Sequence, residues 1–200
     1  MAIWAIVPVK PFNLAKSRLA HVLSDAAREG LVQRMFEHTL QILQACRPPL
    51  EGTLVVSSDP RVLSLALQHA VVPLAESGRD GLNSALVQAI REAGRLGAQG
   101  VVIVPADLPR LSADALRSVL AQVPPAPGVV IAPDQRDEGT NTLALQPCGV
   151  LEPAFGPGSF RRHWAAARER NAHIVVVRNA ALALDVDSPE DLEQARDILS

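Results

Sequence analysis

The sequence predicts an α/β fold in three layers, with a mostly parallel sheet and helices on both of its faces. Short apolar runs rich in β-branched residues alternate along the chain with helical segments of roughly ten to twenty residues, which is the pattern of βαβ units. Of the 200 residues, 48% are hydrophobic and 20% are charged, enough for one sizeable core, and no shift in composition marks a boundary. We therefore expect residues 1–200 to form a single domain.

Composition and charge exclude several classes of protein. The formal net charge is -2 and the Lys and Arg residues are scattered, so nucleic acid is not an expected partner. Cys46 and Cys148 lack the spacing of metal ligands and the His residues are dispersed, so we expect neither a zinc site nor a disulfide framework. The apolar residues 1–9 are too short for a signal peptide, and no stretch reaches membrane-spanning length. These features predict a soluble cytoplasmic protein without a membrane partner.

The first element is a buried strand over residues 3–9 that runs into a basic loop carrying Lys10, Lys16 and Arg18. Lys supplies point charges and Arg a planar fork for phosphate oxygens, so the loop suits a triphosphate. A solvated turn that leads into a helix explains it equally well. The loop lacks the glycines of a P-loop or a dinucleotide fingerprint, which disfavours those two classes of nucleotide site.

The next elements continue the alternation of helix and strand. A helix capped at Ser24-Asp25 is predicted to end at Cys46; after it come a strand over 53–57, a helix that begins with Asp59 and Pro60, and a strand over 70–74. Residues 76–83 form a polar, glycine-bearing loop before a helix over 85–93. This loop could line a nucleotide base, although a plain turn and cap explain it equally well.

The run Val101 to Val104 predicts a fully buried parallel strand, and Asp107 follows it between two prolines. Ligands of open α/β sheets bind beyond the carboxyl ends of the strands, so Asp107 is placed to handle a metal ion or a phosphate ester. The alternative is that Asp107 caps the next helix. Because Ser112 already offers that cap, we interpret Asp107 as a ligand.

After a helix over 116–120 and a strand over 128–133, the alternation breaks at a polar stretch over 135–141, and a long polar loop in an economical domain is usually functional. A strand-like run over 142–145 follows it. Small residues over 155–160 then precede a helix that continues to about Asn171, and such a helix start favours anions. We expect His163 and His173 to be surface or satisfied core residues rather than ligands.

The last strands are predicted over 173–177 and 181–184, and the second ends in Asp185-Val186-Asp187. Ser188 and Pro189 then begin the final helix. Carboxylates at the ends of different strands, together with a basic loop after the first strand, are what metal-assisted phosphoryl or nucleotidyl transfer requires, since oxygen ligands hold Mg²⁺ and the cations offset the triphosphate charge.

The ordered set of motifs resembles the guanylyltransferases of coenzyme F-420 biosynthesis, a family that comprises the phosphoenolpyruvate and 2-phospho-L-lactate guanylyltransferases. The motifs that carry the resemblance are Pro8-Val9-Lys10, Ala15-Lys16-Ser17-Arg18-Leu19, Asp80-Gly81-Leu82-Asn83, Pro105-Ala106-Asp107-Leu108-Pro109, Gly139-Thr140-Asn141, Phe155-Gly156-Pro157 with Ser159, and Asp185-Val186-Asp187-Ser188-Pro189. The related molybdenum-cofactor enzymes have a glycine-rich loop after the first strand, which here bears lysine and proline and so argues against a molybdopterin substrate.

The resemblance implies a Rossmann-like nucleotidyltransferase fold and transfer of GMP from GTP to a small phosphorylated three-carbon acid, with release of pyrophosphate. Phosphoenolpyruvate is the favoured acid, by likeness to bacterial members, and 2-phospho-L-lactate and 3-phosphoglycerate are alternatives. The implied acceptor contacts are Thr140, Gly156 and Ser159, and the implied Mg²⁺ ligands are Asp107, Asp185 and Asp187. The expected catalytic residues are Lys10, Lys16, Arg18 and Asp107. The expected GTP contacts are Lys10, Lys16, Ser17, Arg18, Asp80 and Asn83.

Two other functions remain open at this point. One is a catalytically silent nucleotide-binding protein, and the other is a cytidylyltransferase of sugar or isoprenoid metabolism on a similar fold. Retention of the acidic strand ends and of Lys10, Lys16 and Arg18 argues against the silent protein. The resemblance also implies that a homodimer is possible.

Overall fold

The computed structural model describes residues 1–78 and 81–195. The strands in this part of the chain are β1 (Ile3–Pro8), β2 (Leu50–Ser57), β3 (Val72–Ala75), β4 (Gly100–Ile103), β5 (Gly128–Pro133), β6 (Thr140–Gln146) and β7 (His173–Val176). They form one sheet in the order β3-β2-β1-β4-β6-β5-β7. All neighbouring pairs are parallel except the two that involve β6, which runs antiparallel to β4 and β5. The sheet is therefore mostly parallel, as predicted.

Helices cover both faces of this sheet. They are α1 (Asp25–Ala45), α2 (Pro60–Gln68), α3 (Leu82–Arg95), α4 (Ala113–Ala121), α5 (Ser159–Glu169), α6 (Ala180–Ala183) and α7 (Pro189–Gln194), with short 3-10 turns over Phe12–Leu14 and Ser17–Leu19. Buried side chains of α1, α2 and α4 form one core with one side of the strands, and those of α3 and α5 form a second core with the other side. The predicted three-layer architecture is confirmed.

The predicted helix starts are confirmed by their side-chain caps. The side chains of Ser24, Asp59, Ser112 and Ser188 accept backbone N–H groups at distances of 3.3, 2.9, 3.2 and 3.3 Å. Each bond satisfies a donor that the first helical turn leaves without a partner. Ser188 also belongs to a full capping box with Asp191, so the segment that carries the predicted acidic pair ends in a fixed helix start.

The predicted strand over 181–184 is wrong, because Ala180–Ala183 form the short helix α6. Asn179 caps this helix by accepting the N–H of Ala181 at 2.9 Å. Alanine and leucine are good helix formers, and the run contains no β-branched residue that would favour a strand. Asp185 and Asp187 therefore follow a helix rather than a strand.

A β-bulge at the start of β6 changes the direction of the residues that begin it. Ala132 pairs with Thr142 but Pro133 pairs with Thr140, so Asn141 is an extra residue in the ladder. As a result the side chain of Asn141 bonds to carbonyl groups of α6, whereas Thr140 bonds to residues of α5 on the opposite face. The bulge thus sets which face each residue contacts: Thr140 the face covered by α5, and Asn141 the face covered by α6.

Within the described ranges, no helix combines the length and the apolar character that crossing a membrane requires.

Candidate active site at the carboxyl ends of the strands

The basic loop after β1 is anchored before it reaches Lys16. Phe12 is buried and packs 6.3 Å from Phe36 of α1, measured between ring centroids. Its N–H donates to a carboxylate oxygen of Asp59 at 3.2 Å, and the Arg61 guanidinium lies 5.6 Å from the centroid of its ring. The loop is consequently held against α1 and the start of α2 by an apolar anchor and a charged cap.

Lys16 turns inward from this loop and ends between two carboxylates. Its backbone has a φ of 54°, a left-handed conformation that is uncommon for residues other than glycine. The ammonium donates to Asp107 and, at 2.7 Å, to Asp187, and the Lys16 side chain is only 7% exposed. Burial lowers the pKa of Lys16, but the attraction of Asp107 and Asp187 outweighs burial and holds that pKa above its ordinary value. Lys16 therefore remains charged.

The loop that carries Asp185 and Asp187 is docked on the loop that follows β4. The N–H of Val186 donates to the carbonyl oxygen of Asp107 at 3.2 Å, and the N–H of Asp187 donates to Asp191 of α7 at 3.1 Å. Burial raises the pKa of Asp187, but Lys16, Arg18 and Lys10 outweigh burial and leave that pKa below its usual value. The predicted cations Lys10, Lys16 and Arg18 therefore act on one carboxylate.

Asp185 is the least compensated of the acidic side chains. Its carboxylate lies 3.4 Å from the amide nitrogen of Asn141, which also donates to the carbonyl oxygens of Leu182 and Ala183 at 2.9 and 3.0 Å. Burial, followed by repulsion from Asp107 and Asp187, raises the pKa of Asp185 to about 6. The three carboxylates thus form a cluster of negative charge that Lys16 neutralises in part.

The donor set of this cluster fits a hard divalent cation. Carboxylate oxygens are the ligands that Mg²⁺ prefers, and Asp107 and Asp187 lie close enough to Asp185 to repel its charge. Within the described ranges, however, no three His, Cys, Asp or Glu side chains converge closely enough to make a complete metal site. The ammonium of Lys16 lies between two of the carboxylates instead.

The other predicted nucleotide contacts divide into three groups. Lys10, Ser17 and Arg18 have exposed side chains on the loop after β1. Asn83 is not free, because its amide donates to the carbonyl oxygen of Phe155 at 3.1 Å and its oxygen accepts the Phe155 N–H at 2.8 Å. It therefore joins the start of α3 to the segment before α5. Asp80 lies outside the described residues.

The predicted acceptor residues lie together. The N–H of Thr140 donates to the hydroxyl of Ser159 at 2.9 Å, and the N–H of Ser159 donates to the carbonyl oxygen of Gly156 at 3.0 Å. Gly156 has a φ of 117°, which favours glycine, whereas Thr140 and Ser159 are 6% and 1% exposed. Asn141, whose amide lies against Asp185, follows Thr140 directly in the chain. The predicted acceptor residues and the acidic cluster are therefore linked through neighbouring residues.

Sequence reasoning did not select Asn141 and His163 as site residues. His163 is fully buried and bonded at both ring nitrogens, so the prediction of a satisfied core residue is confirmed, and His173 is on the surface as expected. The signals that could have found them are the position of Asn141 directly after Thr140 and the position of His163 one helical turn after Ser159.

Solved structures with the same architecture include nucleotidyltransferases. A nucleotidyl transferase from Methanothermobacter superposes with a TM-score of 0.71 at 15% identity, covering 99% of this chain and 97% of the other. A 4-diphosphocytidyl-2C-methyl-D-erythritol synthase superposes with a TM-score of 0.68 at 16% identity, covering 100% and 98%. At these identities the likeness establishes the Rossmann-like nucleotidyltransferase fold.

Relatives with higher identity cover most of the chain. The chain is 43% identical to the phosphoenolpyruvate guanylyltransferase of Sphaerobacter thermophilus over 95% of its own length and 90% of the relative. It is 40% identical to the enzyme of the same name from Rubrobacter xylanophilus, over 96% and 92%. The 2-phospho-L-lactate guanylyltransferase of Methanothermobacter thermautotrophicus is 37% identical, over 94% and 81%.

The family model described as "Guanylyl transferase CofC like" matches residues 3–196, which include every motif and all the acidic and basic side chains brought together at the carboxyl ends of the strands. With this match and these identities, the chain belongs to the CofC-like guanylyltransferase family.

Proposed function

We propose that this protein transfers GMP from GTP to phosphoenolpyruvate and releases pyrophosphate, a step of coenzyme F-420 biosynthesis. The observation that carries the proposal is the ammonium of Lys16, which lies between Asp107 and Asp187. The positive charges of Lys10 and Arg18 also act on the carboxylate of Asp187. A site that combines fixed carboxylates with several cations suits a nucleoside triphosphate and its metal ion.

The triphosphate of GTP is proposed to bind against the loop after β1. Lys10 and Arg18 are exposed there, and Lys16 lies between the anchored Phe12 and the 3-10 turn that begins at Ser17. Fixed cations stabilise the charge that develops on the leaving pyrophosphate without having to reorganise during the reaction. Ser17 is proposed to add a hydroxyl contact to the triphosphate, and Asp80 and Asn83 are proposed to contact the nucleoside.

The chemistry asks for positioning rather than for an activated protein nucleophile. A phosphate oxygen of the acid forms a bond to the α-phosphorus of GTP, and the bond from the α-phosphorus to the oxygen that bridges to the β-phosphate breaks. Its electron pair leaves with pyrophosphate, and GMP is joined to the acid through a phosphoanhydride. Because the acid phosphate is already ionised at neutral pH, catalysis amounts to alignment and charge neutralisation.

Mg²⁺ is the proposed cofactor, with Asp107, Asp185 and Asp187 as its ligands. When bound, it would neutralise phosphate oxygens and orient donor and acceptor. Asp107→Asn keeps the shape of the side chain but offers a poorer ligand, so it should weaken Mn²⁺ binding, measured by electron paramagnetic resonance, by about tenfold or more. Unchanged Mn²⁺ affinity with an intact fold would remove Asp107 from the metal site.

Phosphoenolpyruvate is the favoured acceptor because the relatives that are 43% and 40% identical carry that name. The archaeal relative named for 2-phospho-L-lactate is 37% identical, so that acid is the first alternative, followed by 3-phosphoglycerate. Thr140, Gly156 and Ser159 are the proposed acceptor contacts. Their proximity supports this assignment, since hydroxyl and backbone donors at a helix start suit a compact dianion.

The experiment incubates the protein with Mg²⁺, each of four nucleoside triphosphates and each of the three acids, and follows the release of pyrophosphate. We expect release with GTP and phosphoenolpyruvate together. Release that depends on CTP instead would indicate a cytidylyltransferase. Absence of turnover with every combination would favour a silent nucleotide-binding protein.

The protein is further proposed to act in the cytoplasm. Cys46 and Cys148 are free thiols, which suits a reducing compartment, and GTP is abundant there. Pairing of two chains is a separate expectation from the family resemblance, and analytical ultracentrifugation with and without GTP would test it.

A further inference from the structure

Thr140, Ser159 and His163 form a buried cluster at the start of β6 and α5, called here the hydroxyl network. The Thr140 hydroxyl lies 2.9 Å from Nδ1 of His163, and the Thr140 N–H donates to the Ser159 hydroxyl at 2.9 Å. Nε2 of His163 lies 2.9 Å from the N–H of Ala154. The ring also packs edge-on against Phe155, with centroids 5.0 Å apart, so the imidazole has one orientation.

The bonds of the ring fix the position of its proton. A backbone N–H can only donate, so Nε2 of His163 must accept the bond from Ala154. A neutral imidazole that accepts at Nε2 carries its hydrogen on Nδ1, and this hydrogen points to the Thr140 hydroxyl. Burial, together with Arg162, lowers the pKa of His163 to about 4, which keeps the ring neutral near pH 7.

This protonation state determines what the two hydroxyl groups can do. The Thr140 oxygen accepts from His163, and the Ser159 oxygen accepts from the Thr140 N–H, so both hydroxyl hydrogens remain available. Among the described residues, neither hydroxyl has a further hydrogen-bond partner. The network therefore presents two donors and no protein acceptor for them, an arrangement that favours an anionic ligand.

We propose that His163 is a positioning residue for the acceptor acid: its Nδ1–H orients the Thr140 hydroxyl as a donor to the acid phosphate. The inference rests on the proposed function, because it takes the acid to bind at Thr140 and Ser159. Beyond the proposed function, it assigns a role to His163, which does not touch the substrate and acts through the Thr140 hydroxyl.

A pair of substitutions separates the two bonds of the ring. The amide nitrogen of Asn occupies the place of Nδ1, so His163→Asn keeps the donor to Thr140 and loses the acceptor for Ala154. In His163→Gln the amide reaches the place of Nε2, so it keeps the bond to Ala154 and loses the donor to Thr140. The pair distinguishes orientation of the hydroxyl from support of the segment before α5.

His163→Gln should have the larger effect on the KM for the acid, and His163→Asn should have the larger effect on the Tm. We expect His163→Gln to raise the KM for phosphoenolpyruvate about three- to tenfold and to leave the KM for GTP nearly unchanged, because one hydrogen bond to an orienting group is lost. His163→Asn should keep the KM for the acid closer to the wild-type value but should lower the Tm more. Equal effects of both variants on the KM for the acid would overturn the positioning role.

A third variant tests whether His163 acts through Thr140. Thr140→Val removes the hydroxyl at nearly constant shape, so adding His163→Gln to it should raise the KM for the acid no further. Additive effects in this double-mutant cycle would overturn the proposal. Failure of the wild-type protein to turn over any of the acids would instead overturn the proposed function.

A spectroscopic test needs no substrate. In the protein labelled with ¹⁵N-histidine, the His163 resonances should report the Nδ1–H tautomer at neutral pH, and the exposed His173 serves as the reference. An Nε2–H tautomer or a protonated ring at pH 7 would overturn the proposal whatever the enzyme assays gave.

Discussion

Lys16 connects the loop after β1 to the loops that carry Asp107 and Asp187, and it does so with one buried ammonium. The left-handed backbone of Lys16 costs free energy that packing elsewhere must offset. The ammonium also compensates carboxylates that would otherwise repel one another. If the proposed function holds, the same charge serves both the fold and the triphosphate.

Lys16→Met tests this dual role. Loss of the ammonium leaves Asp107 and Asp187 without their partner, and because both are partly exposed we expect the free energy of unfolding to fall by about 1–3 kcal/mol. GTP affinity, measured by isothermal titration calorimetry, should fall at least about tenfold. GTP affinity equal to the wild-type value would return the loop after β1 to a purely structural role.

His163 predicts a dependence of stability on pH. A histidine whose pKa falls on folding, here to about 4, stabilises the fold fully above the unfolded pKa of 6.5, and this stabilisation is lost as the pH falls through about 4. Between pH 7 and pH 4 the wild-type protein should thus lose about 2–3 kcal/mol more unfolding free energy than His163→Gln. Urea titrations at both pH values measure the difference. Parallel losses in the two proteins would mean that the ring is not held neutral.

At the scale of elements, the start of β6 joins the two halves of the site. Its antiparallel direction brings its first residue to the edge where the parallel strands have their carboxyl ends, and the bulge at Asn141 directs Thr140 to α5 and Asn141 to α6. Geometry at the acidic cluster and at the hydroxyl network therefore depends on one short backbone segment.

Asn141→Asp should disturb that segment more than Asn141→Ala. The amide nitrogen donates to the carbonyl oxygens of Leu182 and Ala183, so a carboxylate in its place would face two acceptors and the negative charge of Asp185. We expect a loss of about 2–4 kcal/mol in unfolding free energy for Asp and about 1–3 kcal/mol for Ala. A cost for Asp no greater than that for Ala, measured by urea unfolding, would mean that the amide does not support Asp185.

Local rules predicted the local features. The caps at Ser24, Asp59, Ser112 and Ser188 follow from side chains that satisfy neighbouring backbone groups, and those rules act within a few residues. The run over 181–184 is compatible with either a strand or a buried helix, because a short apolar segment has no distinctive period. The side-chain cap at Asn179 stabilises the helix.

At the scale of the whole molecule, the site depends on contacts that are distant in sequence. The position of Asp107 at a strand end was predictable, but the bond between Lys16 and Asp187 joins residues 171 positions apart. The insertion of antiparallel β6 between β4 and β5, which brings Thr140 to the same edge, is likewise a consequence of strand order. Periodicity carries no information about such pairings. The chemistry of strand ends grouped Asp107 and the acidic pair with the basic loop, and the resemblance to a family added Thr140, Gly156 and Ser159.

The central claim is that the site joins GMP to the phosphate of an acid, and ³¹P NMR of the products formed from GTP, phosphoenolpyruvate and Mg²⁺ tests it most directly. We predict pyrophosphate and a new phosphoanhydride in equal amounts, with both GTP and the acid consumed. GDP with inorganic phosphate, or GMP and pyrophosphate with the acid unchanged, would contradict the account.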